Sequence, residues 1–126
     1  MIPKIFDYFI CKQQIDELTK REDEEEIKNK INKFEKIFNY MPVFNEQSNR
    51  NNAVIYLHYF KKLLHPSLII NWYIIEKDNR DKQMEAFGIY NLEKTFELGY
   101  ISIEGLIKDG IEFDLDWKFK IVNEIK

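Results

Sequence analysis

The spacing of apolar residues changes once along this chain, and that change limits the fold more than any other feature. Up to Pro42 the apolar residues recur at helical spacing; from Ala53 onward they fall in short runs or alternate. Ile27, Ile31, Phe34 and Phe38 form one stripe with Ile37 beside it, which predicts an amphipathic helix. The charge order agrees with a helix dipole: Glu22 to Glu26 are all acidic, and Lys28, Lys30, Lys33 and Lys36 follow. Glu24–Lys28 and Glu26–Lys30 are i,i+4 pairs in the favourable orientation. Thr19 and Glu22 have capping-box spacing, and Pro42 ends the helix at or before Met41. The acidic run therefore reads as a solvated first turn rather than a nucleic-acid-like or cation-binding patch. Residues 4–18 follow Pro3; Ile5, Phe6, Phe9, Ile10 and Leu18 fit a first helix, or a short strand over Ile5–Ile10.

After an Asn-rich loop over Asn45–Asn52, Ala53–Phe60 reads as a strand rich in β-favouring side chains. Lys61–Ser67, with His65-Pro66, is a connection. Leu68–Glu76 is apolar on both faces, the pattern of a central strand covered on both sides. Lys77–Lys82 is a charged turn, and Met84–Asn91 is a third strand antiparallel to the second. Leu92–Tyr100 fits strand or loop. Ser102 can cap a short helix over Ile103–Asp109, with Gly110 at its left-handed C-terminal position. In the last segment Phe113, Leu115, Trp117, Phe119 and Ile121 alternate with Asp114, Asp116, Lys118 and Lys120, which predicts one strand with a core face and a wet face. The expected fold class is α+β: a single domain, residues 1–126, with a helical part (1–41) packed on a strand-rich part (53–126) whose antiparallel sheet has about four or five strands.

Composition narrows the function. Of 126 residues, 44% are hydrophobic and 33% charged, with only four Gly and three Pro, which excludes collagen-like and disordered classes. A net charge of −3 is too balanced for a generic DNA binder. The N-terminal residues lack the pattern of a signal peptide, and no apolar run is long enough to span a bilayer. Cys11 is the one cysteine, so no internal disulfide forms; a reduced, cytoplasmic compartment and a buried structural thiol are expected. His58 and His65 do not make a zinc pattern, and no metal or cofactor is expected. Ser48, Ser67 and Ser102 lack the flanking glycines of a nucleophile elbow, and the four glycines form no phosphate loop. No catalytic residue is assigned. Lys61-Lys62 beside Tyr59 and Phe60, and Lys118 with Lys120, are isolated basic pairs, which ranks direct nucleic-acid binding below protein binding.

Five segments carry a family resemblance over roughly the last 70 residues. They are Val54-Ile55-Tyr56-Leu57-His58-Tyr59-Phe60, then Asn71-Trp72-Tyr73-Ile74-Ile75-Glu76, then Phe87-Gly88. Glu97-Leu98-Gly99-Tyr100-Ile101-Ser102 and Asp114-Leu115-Asp116-Trp117 complete the series. In order and spacing they resemble the bacterial domain-of-unknown-function family numbered twenty-nine fifty-eight. The short Lys108-Asp109-Gly110 loop and the region before Asn39 depart from that family's pattern. The resemblance implies a setting on phages, plasmids and conjugative elements, among accessory and anti-restriction genes. It makes Trp72, Gly88, Gly99, Tyr100 and Trp117 fold positions, with Gly99 expected at a positive φ or a close approach.

A small mobile-element protein without a reaction centre is expected to act by binding a host protein. The target that the resemblance implies is a defence nuclease, of CRISPR or restriction type. The candidate binding residues are Glu104, Asp109, Glu112, Asp114 and Asp116, which cluster in sequence and could face a basic nucleic-acid channel. The plainer reading of Asp114 and Asp116 is a solvated strand face that pairs its charges with nearby lysines.

Overall fold

The structure, a computed structural model, describes residues 1–44, 51–64 and 68–126. The His65-Pro66 connection, most of the Asn-rich loop, Ser48 and Ser67 lie outside the described residues.

The first helical segment is broken in two. A 3₁₀ helix spans Lys4–Tyr8, and α1 spans Lys12–Lys20 with Cys11 as its N-cap. The break turns Phe6, Phe9, Ile10 and Cys11 all inward. It also frees the Phe9 carbonyl, which accepts a hydrogen bond from the buried Tyr59 hydroxyl. A phenol without water needs such a partner, and the same burial, with Cys11 nearby, pushes its pKa well up. Thr19 does not cap the second helix. It lies inside α1, where its hydroxyl donates to the Ile15 carbonyl at 2.9 Å. The next helix, α2, spans Glu25–Tyr40 with Glu24 at its N-cap, and it ends before Pro42 as expected. It buries the predicted stripe of Ile27, Ile31, Phe34 and Phe38.

The sheet elements are β1 (Val54–Ile55), β2 (Leu57–Lys62), β3 (Ile69–Glu76), β4 (Ala86–Leu92), β5 (Thr95–Ile101), β6 (Glu112–Phe113) and β7 (Lys120–Ile121); a short helix, α3 (Ile103–Lys108), follows β5. Five of these strands form an antiparallel sheet in the order β5-β4-β3-β2-β6, and β1 pairs with β7 in a separate two-stranded sheet. The fold is α+β, as expected. The central strand β3 is covered on both faces. Ile74 meets the helices with Leu57, Tyr59, Ala86 and Ile101. Ile75 meets a second core with Ile55, Ile89, Trp117 and Val122.

The expected last strand is not continuous. After β6 the Asp114 carboxylate accepts the Asp116 amide at 2.9 Å, and this side-chain turn bends the chain away from the sheet. Phe113 therefore enters the helix-side core and Trp117 the opposite one, although an unbroken strand would place both on one face. Trp117 is anchored there by an indole N–H donated to the Ile55 carbonyl at 3.0 Å. The first expected strand divides too: β1 pairs with β7 in the small sheet, and β2 pairs with β3 and β6 in the large one.

Ser102 caps α3 through the Gly105 amide at 3.0 Å, and Gly110 follows with φ +69°, both as expected. Gly99 differs from its expectation, because its φ is not positive and a Cβ there would meet nothing within 4 Å. The close approach belongs to Gly88, where a Cβ would sit 1.9 Å from the Tyr73 carbonyl oxygen.

Candidate functional site

The two edges of the large sheet are treated differently. At one end β6 is only two residues long, and a side chain closes it. Gln14 of α1 donates to the Phe113 carbonyl at 2.9 Å and accepts the Phe113 amide at 2.7 Å, so its carboxamide stands in for a neighbouring strand. At the other end β5 runs for seven residues, and among the described residues no strand pairs with its outer side.

The two-residue loop Glu93-Lys94 joins β4 to β5, with Leu92 opposite Thr95. Such a loop is closed by a hydrogen-bonded pair, so alternate residues Thr95, Glu97, Gly99 and Ile101 bond inward to β4. The backbone N–H and C=O groups of Phe96, Leu98 and Tyr100 turn outward. Their side chains share the face turned away from the helices, since Leu98 lies opposite Ile89. They are 37%, 50% and 63% exposed. Phe44 extends this apolar stripe, with its ring 5.1 Å from that of Tyr100 and 5.5 Å from that of Phe87.

A chain of polar side chains crosses the same face toward the β6 end. Asn91 Nδ2 donates to the Glu93 and Thr95 carbonyls, both at 3.0 Å, and pins the loop. Backbone carbonyls only accept, so the orientation of the Asn91 amide is fixed. Its Oδ1 then accepts from Asn71 Nδ2 at 3.2 Å, and Asn71 Oδ1 faces His58 Nε2 at 2.7 Å. His58 Nδ1 meets Asp114 Oδ2 at 2.8 Å. With its orientation fixed, Asn71 Oδ1 accepts from Nε2, and Nδ1 lies within hydrogen-bond distance of the Asp114 carboxylate, so the ring is held at both ends. The ring is stacked on Tyr73 at 4.8 Å. Burial alone would raise the Asp114 carboxyl; the His58 hydrogen bond, the Asp116 amide and the charges of His58 and Lys33 outweigh it and hold the group below the ordinary carboxylate range.

The five acidic candidates do not form one patch. Glu112, Asp114 and Asp116 line an open groove of about 360 Å³ with Glu17, Arg21 and Lys30. Asp109 and Glu112 line an adjoining groove with Lys61 and Lys62, so the basic pair there is offset by acids. Glu104 stands apart in α3, 3.5 Å from Lys108. The charges of Asp114 and Asp116 are paired, though not with the lysines that follow them: Asp114 meets His58, and Asp116 meets Lys30 of α2 at 2.7 Å. The turn after β6 is what separates the two carboxylates from a common strand face.

Sequence reasoning missed the β5 edge because Glu93-Lys94 carries no Gly or Asn to announce a tight turn, and Glu93 adopts φ 55° without one. It missed the polar chain because its members come from four separate segments. The available signal was Asn71, a polar residue inside an otherwise apolar strand. Among the described residues no three His, Cys, Asp or Glu side chains come together as a metal site, and no helix is long and apolar enough to cross a membrane. No protein-family model, curated protein or solved structure matches the chain.

Proposed function

We propose that this protein is a non-enzymatic protein-binding module in which β5 is the docking strand. The observation that carries this reading is the contrast between the edges: one is short and closed by Gln14, the other long, apolar and without a strand on its outer side among the described residues. An open edge strand recruits a second polypeptide by main-chain hydrogen bonds, with alternate side chains supplying specificity. His58, the side chain best suited to proton transfer, has both ring nitrogens engaged, which supports a structural role for it. The mobile-element setting implied by the family resemblance makes a host defence nuclease the target class. The groove at the opposite end of the sheet, where Glu17, Glu112, Asp114 and Asp116 outnumber Arg21 and Lys30, is the face offered to such a target's basic channel.

The test is purification of the tagged chain, after nuclease treatment, from a bacterial host carrying defence systems. With an untagged copy co-expressed, a polypeptide in stoichiometric amount, host protein or second copy, is expected to be lost with Leu98→Lys. Nucleic acid as the sole companion, or no polypeptide whose retention depends on Leu98, overturns the reading. Glu112→Lys with Asp116→Lys is expected to weaken capture of a nuclease and reduce its salt dependence; unchanged capture removes the acidic rim from the proposal.

A further inference from the structure

We infer that the polypeptide that occupies the β5 edge is a second copy of this chain, paired antiparallel about a two-fold axis at Leu98. The inference rests on the reading of β5 as the docking strand and names its partner.

The strand is self-complementary in one register. Leu98 is the midpoint of Thr95–Ile101, so a two-fold axis there pairs all seven residues. Leu98 then faces Leu98 of the second copy. Phe96 faces Tyr100, and Tyr100 faces Phe96, which places aromatic rings across the join on both sides. Glu97, the one charge within the strand, faces Gly99, which presents neither charge nor side chain. Phe96, Leu98 and Tyr100 are the residues whose N–H and C=O groups point outward, so each of these facing pairs exchanges two hydrogen bonds. Moving the axis to Glu97 sets two carboxylates opposite each other, and moving it to Gly99 leaves Leu98 against Tyr100 while Glu97 falls opposite Ile101. Only the register at Leu98 keeps apolar against apolar and leaves the acid unopposed.

The assembly is also closed. Pairing through β5 joins two five-stranded sheets into one, and each outer end is then the short β6 strand already sealed by Gln14. Among the described residues the joined sheet then ends on both sides in a short, sealed strand, which favours a dimer over a fibre. Both grooves lined by Glu112 and Asp116 lie at the far ends and stay free for a target.

Sedimentation equilibrium of the full chain tests this. The mass is expected to rise from 15.4 kDa toward twice that value over roughly 1–300 µM. Leu98→Pro removes an outward amide and the leucine side chain but no amide of the chain's own ladder; it is expected to weaken association at least about tenfold with unchanged circular dichroism. The register is tested by oxidation: Leu98→Cys faces itself and is expected to crosslink rapidly, whereas Phe96→Cys faces Tyr100 and is not. Cys11 is buried and does not compete. A mass of 15.4 kDa throughout overturns the inference, as does equal crosslinking of the two cysteine variants, or undiminished association of Leu98→Pro. If the chain is monomeric while capture of a host protein still depends on Leu98, the second copy is excluded and the docking-strand reading stands.

Discussion

Asp78 shows how one side chain can organise a loop. Its carboxylate accepts the Arg80 amide at 3.0 Å, the Glu85 amide at 3.0 Å and the Arg80 guanidinium at 2.8 Å. The buried Gln83 amide completes the turn by donating to the Arg80 carbonyl at 2.7 Å and accepting the Asp78 amide at 2.7 Å. The Arg80 guanidinium first, and then the two amides, overcome the opposing effect of burial and lower the Asp78 pKa from 3.8 to about 2. Because the folded value lies below the unfolded one, the stabilisation is complete above pH 3.8 and is lost as pH falls toward about 2. Asp78→Asn is expected to cost about 1–3 kcal/mol at neutral pH, measured by urea unfolding, and to flatten the acid limb of the stability profile in that window. Asn71→Leu would strand His58 Nε2–H and Asn91 Oδ1 at once, and a similar loss of about 1–3 kcal/mol is expected in the same measurement. Gly88→Ala is expected to destabilise strongly, because the clash is with the Tyr73 backbone oxygen, which cannot swing away; Gly99→Ala meets nothing and should leave the melting temperature of the monomer nearly unchanged.

The elements differ in how far their own residues specify them. Helix α2 was legible because its stripe, charge order and terminal proline all agree; a tertiary contact seals its C-terminus, where Lys77 donates to the Phe38 and Asn39 carbonyls at 2.6 and 3.0 Å. Phe38 stacks on Phe9 at 4.3 Å and meets Phe6 edge-on at 5.1 Å. Phe38→Ala is expected to cost about 3–5 kcal/mol, read as a lower denaturant midpoint with an unchanged slope. The last segment was misleading. Alternation from Phe113 to Ile121 is what a single strand shows, yet Phe113 and Trp117 serve two cores with a turn between them, and Phe119, expected on the core face, is 51% exposed. Periodicity does not report whether alternate residues are buried in the same place, or, at Phe119, buried at all. Strand β5 was half legible, since its outer edge carries apolar residues that no core explains. In hydrogen exchange at high dilution, the outward amides of Phe96, Leu98 and Tyr100 are expected to exchange quickly and those of Glu97 and Gly99 slowly; uniform protection would mean that the edge is covered within the monomer.

For the molecule as a whole, β3 joins two cores, so damage on one face should reach the other. Trp117→Ala removes the anchor of the small sheet and much of the second core, and it is expected to cost about 3–5 kcal/mol. Unfolding should remain a single transition by tryptophan fluorescence and by far-ultraviolet circular dichroism, because Ile74 and Ile75 tie the faces together through one strand. Separate transitions would show that the small sheet is an independent unit. The sequence by itself determined the fold class, the position of α2, the central place of β3 and the capping of α3, because each of these follows from local spacing and residue type. Only the tertiary structure decided that Asp114 turns the chain between two cores, that Gln14 seals one edge of the sheet and that no strand among the described residues pairs with the outer side of β5. Those outcomes depend on which distant groups meet, and hydrogen bonding across 99 residues, as between Gln14 and Phe113, leaves no periodic trace in the chain.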